Sequence, residues 1–589
     1  MLGVHGRYLR IDLTAGASEF VPIPPAVSRA YLGGVGLAAW LLPRESPPGV
    51  NALSADAAVV FAFSPLVGTP LTTSAKFAVV AKSPLTNRFN DALSSSHFAI
   101  HGKRTGADAI VLRGACAVPS VVLIDDGRVS IEPLPLPADE PIPVTAERLK
   151  SHYGPGWSFG VVGPAGRNRV RYATVSFDNR HAGRGGLGAV LGAKNVLAIG
   201  VKGTQRPAVA DPTAVVAAAR DLSKRSFGPA TAKYRELGTV TNLLTFNRLN
   251  ALPTRNFQQG QFEAADGLSV ESLRGALPQV RNSCAACTIG CEHIFPAADG
   301  TGVRLEYESL FALGPLCGIG DRDTVLKAAQ MCDELGLDTI STGATIAFAM
   351  ECSERGLIPD RLPFGDGDTL LSLIERIARR DGLGDLLADG SRRAAEVIGG
   401  GSEDFAPHVK GMELPGYEPR ALQAMALGFA VGSRGADHNR SGAYEIDFSV
   451  TGDRLHGTAD AARQAVDTED RAALMDSLIL CKFLRGVFTD FFAESAELLI
   501  KVTGEDFTAD ELKAVARRVV DARKRFNIRE GWTPAEDTLP RRFLSTALPD
   551  GTAPGATLPE ARLREMIAAY NRARGWSADG WPHASEPDA

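Results

Sequence analysis

Three cysteines within eight residues constrain this chain more than any other feature of its sequence. Cys284, Cys287 and Cys291 follow the spacing C-x2-C-x3-C, and Gly290 stands directly before the third cysteine. A tight loop with this spacing presents three thiolates to one metal or iron–sulfur centre, because glycine relaxes the backbone beside the last of them. We interpret the three cysteines as ligands of a [4Fe-4S] cluster whose fourth ligand comes from another part of the chain.

Three other uses of these cysteines remain open at this point. A zinc loop takes two cysteine pairs or combines cysteine with histidine, and His293 lies near enough in sequence to serve. The thiols could also form a disulfide or be simply buried. A disulfide is disfavoured, because eight cysteines in 589 residues and no apolar signal segment after the first five residues indicate a reducing cytoplasm.

The composition argues against two classes of partner. A net charge of -5 leaves no basic excess to hold a phosphate backbone, so we expect no nucleic acid partner. No apolar run reaches the roughly 20 residues that a membrane-spanning helix needs. With 44% hydrophobic residues the chain can bury large cores. We therefore expect a cytoplasmic globular protein without a membrane span.

The hydrophobic pattern predicts an α+β fold with the strands in its first third. Alternating segments at 8–13 and 19–23 predict a hairpin, and further strands are predicted at 57–63, 77–81, 109–112, 121–124, 128–131 and 196–201. Helix periodicity begins at Pro212, with Asp211 as its cap. We expect a β-rich domain at 1–205, a helical domain at 206–415 that carries the first three cysteines, and a second helical domain at 416–589.

Two stretches of the helical part share the skeleton D-x-x-x-L-[DC], at 333–338 and 476–481. In the first copy, Gly336 is predicted to end a helix in the left-handed conformation, and Asp338 to cap the helix that starts at Thr339. Taken alone, each motif's first aspartate is best interpreted as a structural group at the end of a helix. The repetition indicates a shared function, and Cys481, at the end of the second copy, offers the missing fourth cluster ligand.

A glycine-rich loop follows the predicted strands. Gly183, Gly185 and Gly188 match G-x-G-x-x-G, a pattern whose backbone N–H groups can surround a phosphate. A dinucleotide-binding fold also needs a carboxylate after the next strand, but Lys202 and Gly203 follow that strand here. We expect phosphate binding by this loop, and no NAD.

Taken together, these motifs resemble the aldehyde ferredoxin oxidoreductase family over about the first 490 residues of the chain. The motifs occur in the family's order: GRYLRIDL at 6–13, YLGG at 31–34, KSPLT at 82–86, the glycine-rich loop, C-x2-C-x3-C, Tyr307-Glu308, the paired aspartate motifs, GYEPR at 416–420 and RGADH at 434–438. The resemblance implies an N-terminal pterin-binding domain, a tungsten or molybdenum ion held by two pterins, one [4Fe-4S] cluster, and a magnesium ion that bridges the pterin phosphates.

The resemblance also implies the residues of the site. It assigns the cluster to Cys284, Cys287, Cys291 and Cys481. It assigns the pterins to Lys76, Leu93, Ser95, Ala182, Arg184, Gly185, Gly186, Gly188, Asp333, Leu337, Asp338, Arg440, Asp476, Leu480 and Cys481. It puts Glu308 and His438 near the metal, with Tyr307 and Tyr417 beside them. In chemical terms, Glu308 suits a general base and His438 a hydrogen-bond donor, although a lone Glu or His is more often structural.

Three positions depart from the family's pattern. Lys76 replaces an arginine, which keeps the charge and loses the bidentate fork. The segment 92–96 (ALSSS) replaces a glycine-containing loop, S-N-x-G-G, that lies near the pterin phosphates, and Leu93 still offers a carbonyl there. Ile479 stands where the first aspartate motif has Gly336. We expect these changes to affect the pterins and the substrate more than the cluster.

The expected function is oxidation of an aldehyde to a carboxylic acid, with electrons passing through the cluster to a ferredoxin or an iron–sulfur subunit, in a homo-oligomer or a hetero-oligomer. One alternative is a relative that uses the same cofactor reductively, such as the tungsten subunit that dearomatises benzoyl-coenzyme A. Another is an electron-transfer subunit that kept the cluster and lost the pterins. The sequence does not identify the aldehyde.

Overall fold

The computed structural model describes residues 1–274, 280–549 and 555–583. Across residues 1–205, all of which are described, twelve strands form two six-stranded sheets. The strands are β1 Arg7–Asp12, β2 Ala17–Pro22, β3 Val59–Ala62, β4 Lys76–Lys82, β5 Phe89–Ser95, β6 Ala109–Arg113, β7 Ser120–Asp125, β8 Arg128–Pro133, β9 Ser158–Val162, β10 Val175–Phe177, β11 Arg180–Ala182 and β12 Val196–Lys202. The helices between them are α1 Pro25–Tyr31, α2 Gly34–Glu45, α3 His97–Lys103, α4 Ile142–Tyr153, α5 Pro164–Arg167 and α6 Leu187–Ala193.

The first sheet has the strand order β2-β1-β6-β3-β4-β5, and the second has the order β11-β10-β9-β12-β7-β8. The hairpin predicted at the start of the chain is confirmed by the antiparallel pair β1 and β2. The pair predicted around Asp126 and Gly127 is confirmed as β7 and β8. Strands β9, β10 and β11 were not predicted, because their short sequences carry no alternation that distinguishes them from loops.

The segment that the resemblance describes as a loop is part of strand β5. Leu93 pairs with Ala78, and Ser95 pairs with Lys76 at the start of β4. Strand β5 is the last strand of the first sheet, so one of its edges faces other parts of the fold. The two polar residues Lys76 and Ser95 therefore stand side by side at one end of the sheet.

Helices dominate the rest of the chain. In the described residues beyond 205 they are α7 Pro212–Ser226, α8 Pro229–Leu237, α9 Asn242–Arg248, α10 Val270–Arg274, α11 Tyr307–Leu313, α12 Arg322–Leu335, α13 Thr339–Glu354, α14 Gly367–Arg379, α15 Leu383–Leu387, α16 Ser391–Ile398, α17 Gln423–Val431, α18 His438–Ser441, α19 Tyr444–Asp447, α20 Ala459–Leu478, α21 Phe491–Thr503, α22 Ala509–Arg529, α23 Arg541–Ser545 and α24 Glu560–Ala573. Short 3-10 turns cover Ala265–Leu268, Pro315–Cys317, Ser402–Asp404, Lys482–Leu484 and Pro534–Glu536. Two small sheets join β13 Val280–Asn282 with β14 Glu292–Pro296 and β15 Gly302–Arg304, and β16 His408–Val409 with β17 Met412–Glu413.

The predicted helix ends are confirmed at the positions that matter for the site. The Asp211 side chain accepts a hydrogen bond from the N–H of Ala214 at the start of α7. Gly336 ends α12 in the left-handed conformation, with φ 80°. Asp338 accepts a hydrogen bond from the N–H of Ile340 and so caps α13. The fold-class prediction, a β-rich N-terminal part followed by helices, is confirmed.

A single hydrophobic cluster runs through the whole molecule, from Tyr8 of the first sheet to Trp576 near the described end. A second cluster lies between the two sheets of the N-terminal part and contains Phe61, Phe77 and Phe177. Because the main core is shared, the three stretches 1–205, 206–415 and 416–589 are packed together, and their division into domains stays a prediction. No helix in the described portion is long and apolar enough to cross a membrane.

Candidate cofactor and active site

The four candidate cluster cysteines lie on two segments of the chain, and Thr73 is hydrogen bonded to both segments. The loop between β13 and β14 carries the first three, and Cys481 follows α20. The N–H of Thr73 donates to the carbonyl of Ala286 at 2.6 Å, and its Oγ1 accepts from the N–H of Cys481 at 3.3 Å. Thr73 thus holds the cysteine loop beside a residue that lies 190 positions further along the chain than Cys291.

The thiols affect one another electrostatically, which places them close together. Burial raises the pKa of the Cys287 thiol to about 11, and the neighbouring Cys481 and Cys284 thiols act in the same direction. Burial alone would lower the pKa of Lys76. The negative charges that the Cys481, Cys284 and Cys287 thiolates would carry outweigh the effect of burial and raise this pKa. The Lys76 ammonium therefore lies beside the thiol group, where it can offset the negative charge of thiolates.

This donor set fits an iron–sulfur cluster. All eight cysteines of the sequence fall in described segments and are free thiols, so a disulfide in the loop is contradicted. No group of three or more His, Cys, Asp or Glu converges on a single ion position in the described residues. A cubane cluster takes one cysteine on each of its four irons, and the four candidate cysteines would supply them. His293, the residue that kept a zinc site open, packs against Phe295 with ring centroids 6.4 Å apart.

The two aspartate motifs have the same backbone geometry. In the first, the N–H groups of Gly336 and Leu337 both donate to the carbonyl of Cys332. In the second, the N–H groups of Ile479 and Leu480 both donate to the carbonyl of Met475. Ile479 adopts φ 61°, the left-handed conformation that glycine adopts in the first copy. The sequence repeat is therefore a structural repeat, and the second copy retains the turn without glycine.

Asp476 of the second motif is fully buried among cations. Its carboxylate lies 2.9 Å from Nζ of Lys482 and 3.6 Å from an Nη of Arg440, although neither oxygen accepts a well-directed hydrogen bond from the described residues. Arg440 also pairs with Asp91 of β5, at 2.5 Å. The open acceptor capacity of Asp476 fits a ligand that carries N–H donors, as a pterin ring does.

Asp338 of the first motif is held by Arg184 of the glycine-rich loop. The Arg184 Nε lies 3.0 Å from Oδ2 of Asp338, and its Nη atoms donate to the carbonyls of Ala436 and Glu413. Arg184 is therefore committed to protein groups and positions Asp338. Leu337 and Leu480 are both buried next to their aspartate motifs.

The glycines of the loop pack against the protein. A side chain on Gly185 would meet the amide of Asn90 within 2.0 Å, and one on Gly186 would meet the Arg171 carbonyl within 2.1 Å. Gly188 belongs to α6, and its N–H donates to the carbonyl of Ala173. Close packing thus requires these glycines, and the N–H of Gly188 is not available to a phosphate. Ala182, which ends β11, is buried.

A polar cavity of about 670 Å³ connects the thiol loop with the first aspartate motif. Three of its lining residues were assigned to the site from the sequence: Ser95, Asp333 and Cys284. Three others were missed: Arg180, His181 and Arg304. Asp333 lies 3.4 Å from both the His181 imidazole and the Arg304 guanidinium. Arg180 and His181 directly precede Ala182, which the resemblance assigned to a pterin. Their position next to an assigned residue is the sequence feature from which they could have been predicted as site residues.

An aromatic cavity of about 490 Å³ holds the four residues assigned to catalysis. We call it the aromatic cavity, and it is lined by Lys233, Tyr234, Thr239, Asn242, Thr245, Phe246, Glu306, Tyr307, Glu308, Tyr417, His438, Asn439, Tyr444, Phe448, Phe483 and Arg485. Glu308 lies in the first turn of α11, and His438 begins α18. Glu308 Oε1 and His438 Nδ1 are 3.5 Å apart. The two residues that the resemblance puts near the metal are therefore neighbours in the structure.

Gly416 fixes the position of Glu308. Its N–H donates to Glu308 Oε2 at 2.9 Å, and its carbonyl accepts the Tyr307 hydroxyl at 2.6 Å. A side chain at Gly416 would meet the Tyr307 ring within 2.8 Å, so only glycine fits here. Burial raises the pKa values of Tyr307 and Tyr417 well above 10, which keeps both hydroxyls protonated. Tyr307 therefore orients the site, and Tyr417 forms part of its wall.

Burial sets the protonation of the acid and the imidazole. It raises the pKa of Glu308 to about 8, while the Gly416 N–H opposes the shift. It lowers the pKa of His438 to about 4, an effect that Asp437 opposes and Arg184 supports. The Asn439 amide lies 2.8 Å from His438 Nε2, and if it donates there, the proton of the neutral ring is on Nδ1, facing Glu308. Near neutral pH Glu308 therefore mostly carries its proton, and the His438 ring is neutral.

The candidate site thus combines four thiols near the half-buried Lys76, two aspartate motifs of the same backbone geometry, and a Glu308–His438 pair at a cavity. The comparisons identify the family. Residues 8–203 match "Aldehyde ferredoxin oxidoreductase, N-terminal domain", and residues 215–587 match "Aldehyde ferredoxin oxidoreductase, domains 2 & 3". The chain belongs to the aldehyde ferredoxin oxidoreductase family.

Several named relatives match nearly the whole chain. The tungsten-containing aldehyde ferredoxin oxidoreductase of Pyrococcus furiosus is 36% identical over 98% of this chain and 97% of its own length. The corresponding protein of Thermococcus kodakarensis is 35% identical, with the same shares covered. The aliphatic sulfonate oxidoreductase WOR-like subunit of Pyrococcus furiosus is 26% identical over 99% of this chain and 96% of its own length.

One solved structure has the same fold. It is the active site complex BamBC of benzoyl coenzyme A reductase with 1,5-dienoyl-CoA, which superposes with a TM-score of 0.82 over 99% of this chain and 96% of that chain. At 23% identity this similarity concerns the fold alone. The chain is thus an oxidoreductase of a tungsten-enzyme family, for which tungsten–pterin and iron–sulfur cofactors are implied. The free thiols and the open Asp476 carboxylate fit both groups.

Proposed function

We propose that this enzyme oxidises aldehydes to carboxylic acids with water and passes the electrons through one [4Fe-4S] cluster to a ferredoxin-like carrier. The observation that carries the proposal is the pair of Glu308 Oε1 and His438 Nδ1, 3.5 Å apart at the wall of the aromatic cavity. The conversion of RCHO and H2O to RCOOH releases two electrons and two protons. It therefore needs a proton acceptor beside a redox group, and the pair supplies the acceptor.

The chain's own residues bind and orient the reactants. Above its pKa of about 8, the Glu308 carboxylate accepts the proton on Oε1, while the Gly416 N–H holds Oε2 in place. With the Asn439 amide donating to Nε2, the neutral His438 ring carries its proton on Nδ1, and we assign it the role of donating that hydrogen bond to a substrate oxygen that develops negative charge. When bound, the tungsten–pterin supplies the two-electron acceptor, and the cluster passes on single electrons.

The proposed cofactor residues are divided between the two motifs. Asp476, with Lys482 and Arg440, would hold one pterin, and Asp333, with Arg180, His181 and Ser95, would hold the other. Cys284, Cys287, Cys291 and Cys481 would hold the cluster, with Lys76 between cluster and pterin. The Leu93 carbonyl and a magnesium ion at the pterin phosphates belong to the same proposal, as do Leu337, Leu480 and the loop from Ala182 to Gly188.

The carrier and the compartment are further parts of the proposal. Electrons would leave through the cysteine loop, where Ser283 and Ala286 are exposed at the surface. A cytoplasmic location is part of the proposal, because eight cysteines without a disulfide suit a reducing compartment. The domain division at 205 and 415 is kept as a proposal that limited proteolysis would test.

Elemental analysis and an assay test the proposal together. Protein purified without oxygen should contain about four irons and one tungsten or molybdenum per chain. It should reduce a viologen dye with several aldehydes and form the matching acids. About four irons with neither heavy metal would instead support the cluster-only subunit. Metal-loaded protein that reduces aromatic acyl-CoA and oxidises no aldehyde would support the reductive alternative, which the shared fold keeps open.

A further inference from the structure

The aromatic cavity is lined by several rings that the proposed proton transfer does not use. Seven of its lining side chains are aromatic: Tyr234, Phe246, Tyr307, Tyr417, Tyr444, Phe448 and Phe483. Two of them, Tyr307 and Tyr417, are explained by the catalytic pair that they adjoin. The other five have no part in the proposed proton transfer, so proton transfer does not explain why they are aromatic.

Most of these rings form one continuous wall. Phe246 stacks on Tyr307 at 5.0 Å between centroids and meets Phe448 edge-on at 5.5 Å. Tyr417 stacks on the His438 imidazole at 5.0 Å and on Tyr444 at 5.5 Å. The wall therefore extends from the catalytic imidazole to Phe448, whose side chain is 43% exposed.

A second aromatic pair lines the cavity beside cationic groups. Tyr234 and Phe483 stack at 4.1 Å, with their planes 25° apart. The Arg485 guanidinium lies 5.1 Å from the centroid of Tyr444, where it supports the ring by a cation–π contact. Phe483 lies two residues after Cys481, in the 3-10 turn Lys482–Leu484, so this pair is close in sequence to the candidate cluster cysteine. Both ring groups are therefore held in fixed orientations.

The size and chemistry of the cavity favour a large, flat substrate. A volume of about 490 Å³ is in the range of pockets that enclose ring-containing ligands, and a two-carbon aldehyde would leave most of it to water. Aromatic rings prefer offset stacking or edge-to-face contact with other rings, and each such contact is worth a factor of roughly 2 to 12 in affinity beyond simple burial.

We propose that the aromatic cavity selects aromatic aldehydes, with the substrate ring against the wall of Phe246 and Phe448 and the carbonyl at Glu308 and His438. This inference rests on the proposed function and specifies its substrate class. The balanced reaction is ArCHO + H2O → ArCOOH + 2 e⁻ + 2 H⁺, with the electrons taken up by the ferredoxin-like carrier. Phe448 is its specificity-determining residue.

Substrate comparison on the holoenzyme is the first test. Benzaldehyde and phenylacetaldehyde should have kcat/KM values at least about tenfold above that of acetaldehyde. Cyclohexanecarboxaldehyde matches benzaldehyde in size and lacks the π system, so it should be several-fold poorer. Equal kcat/KM for benzaldehyde and acetaldehyde would overturn the inference and leave the proposed function intact. Equal values for benzaldehyde and cyclohexanecarboxaldehyde would also overturn it, because size alone would then explain the preference.

Variants of the exposed ring provide the second test. Phe448→Ala should raise KM for benzaldehyde several-fold more than it raises KM for acetaldehyde, and Phe448→Leu should be intermediate because it keeps apolar contact. Phe227→Ala is the matched control, since Phe227 is 55% exposed at the end of α7 and does not line the cavity. If all three variants had the same aldehyde preference as the parent enzyme, the assignment of Phe448 would be wrong.

Product binding separates this inference from the proposed function. Benzoate should bind the holoenzyme at least about tenfold more tightly than acetate in calorimetry, and Phe448→Ala should remove that difference. An enzyme that oxidises no aldehyde would overturn the proposed function, and benzoate selectivity would then still report on the cavity. Equal binding of benzoate and acetate would overturn the inference whatever the activity.

Discussion

Oε1 of Glu308 faces Nδ1 of His438 at 3.5 Å, and neither atom has a hydrogen-bond partner elsewhere among the described residues. Buried polar atoms are nearly always paired, so two such atoms at close range mark a place where a ligand or a proton completes the bonding. The pair lies on a cavity rather than within the core. This relationship underlies the first two predictions.

Replacing Glu308 with Gln should slow aldehyde turnover by roughly 10²-fold or more, because the amide keeps the size of the carboxyl but cannot accept the proton. Iron, tungsten and molybdenum contents should stay unchanged. Glu306→Gln is the matched control: it lines the same cavity and is hydrogen bonded to Thr239, so its loss should matter less. Near-parental activity of Glu308→Gln with several aldehydes would remove Glu308 from the mechanism.

The pH dependence should follow the raised pKa of Glu308. The carboxylate is the proton acceptor, and a group with a pKa of about 8 is mostly protonated at pH 7. The value of kcat/KM should therefore rise as pH increases through about 8, and this rise should vanish in Glu308→Gln. His438→Gln should slow turnover without moving the rise, because burial lowers the pKa of His438 to about 4. A rise centred near pH 6 that His438→Gln abolishes would reverse the two roles.

Cys481→Ala should lose the cluster or convert it to a three-iron form, since three thiolates leave one iron without its protein ligand. Iron analysis and the electron paramagnetic resonance signal of the reduced protein would measure the change. Alanine at the four remaining cysteines, Cys116, Cys317, Cys332 and Cys352, should leave the iron content unchanged. An unaltered [4Fe-4S] signal in Cys481→Ala would show that another residue is the fourth ligand.

At position 479, glycine should be at least as stable as alanine, which is the reverse of the order at most buried positions. At most buried positions alanine is more stable than glycine, because glycine loses more chain entropy on folding. At φ 61° a Cβ atom is strained by roughly 1–2 kcal/mol, and glycine is not. Both variants lose the contact of the Ile479 side chain with Gly34, so the packing loss is similar. Ile479→Gly should therefore have a thermal unfolding midpoint at or above that of Ile479→Ala, and a clearly lower midpoint would contradict the strain argument.

The sequence predicted those parts of the site that depend on local patterns. Gly336 and Asp338 could be assigned because helix ends follow short-range rules of capping and left-handed turns. The assignment of Cys481 relied on the repeated aspartate motif, and the structure puts it beside the cysteine loop through Thr73. In each case a few neighbouring residues carried the signal.

The parts that were missed depend on contacts between distant residues. The glycine-rich loop suggested a phosphate turn, but Gly185 is required by Asn90, which lies 95 positions earlier. Arg180 and His181 became site candidates only when the fold brought Asp333 to them. Strand β5 was not predicted, because its pairing with β4 is decided by sheet register rather than by its own sequence.

The Thr73 bridge has a consequence for how the protein matures. Thr73 belongs to the part of the chain made first, and it contacts the cysteine loop near the middle and Cys481 near the end. During synthesis Cys284, Cys287 and Cys291 emerge long before Cys481. Thr73 can hold the cysteine loop beside Cys481 only after the C-terminal helices have docked. On the proposed four-cysteine assignment, we therefore expect iron and sulfide to be loaded only after the C-terminal helices have docked, which pulse-labelling with iron during synthesis would test.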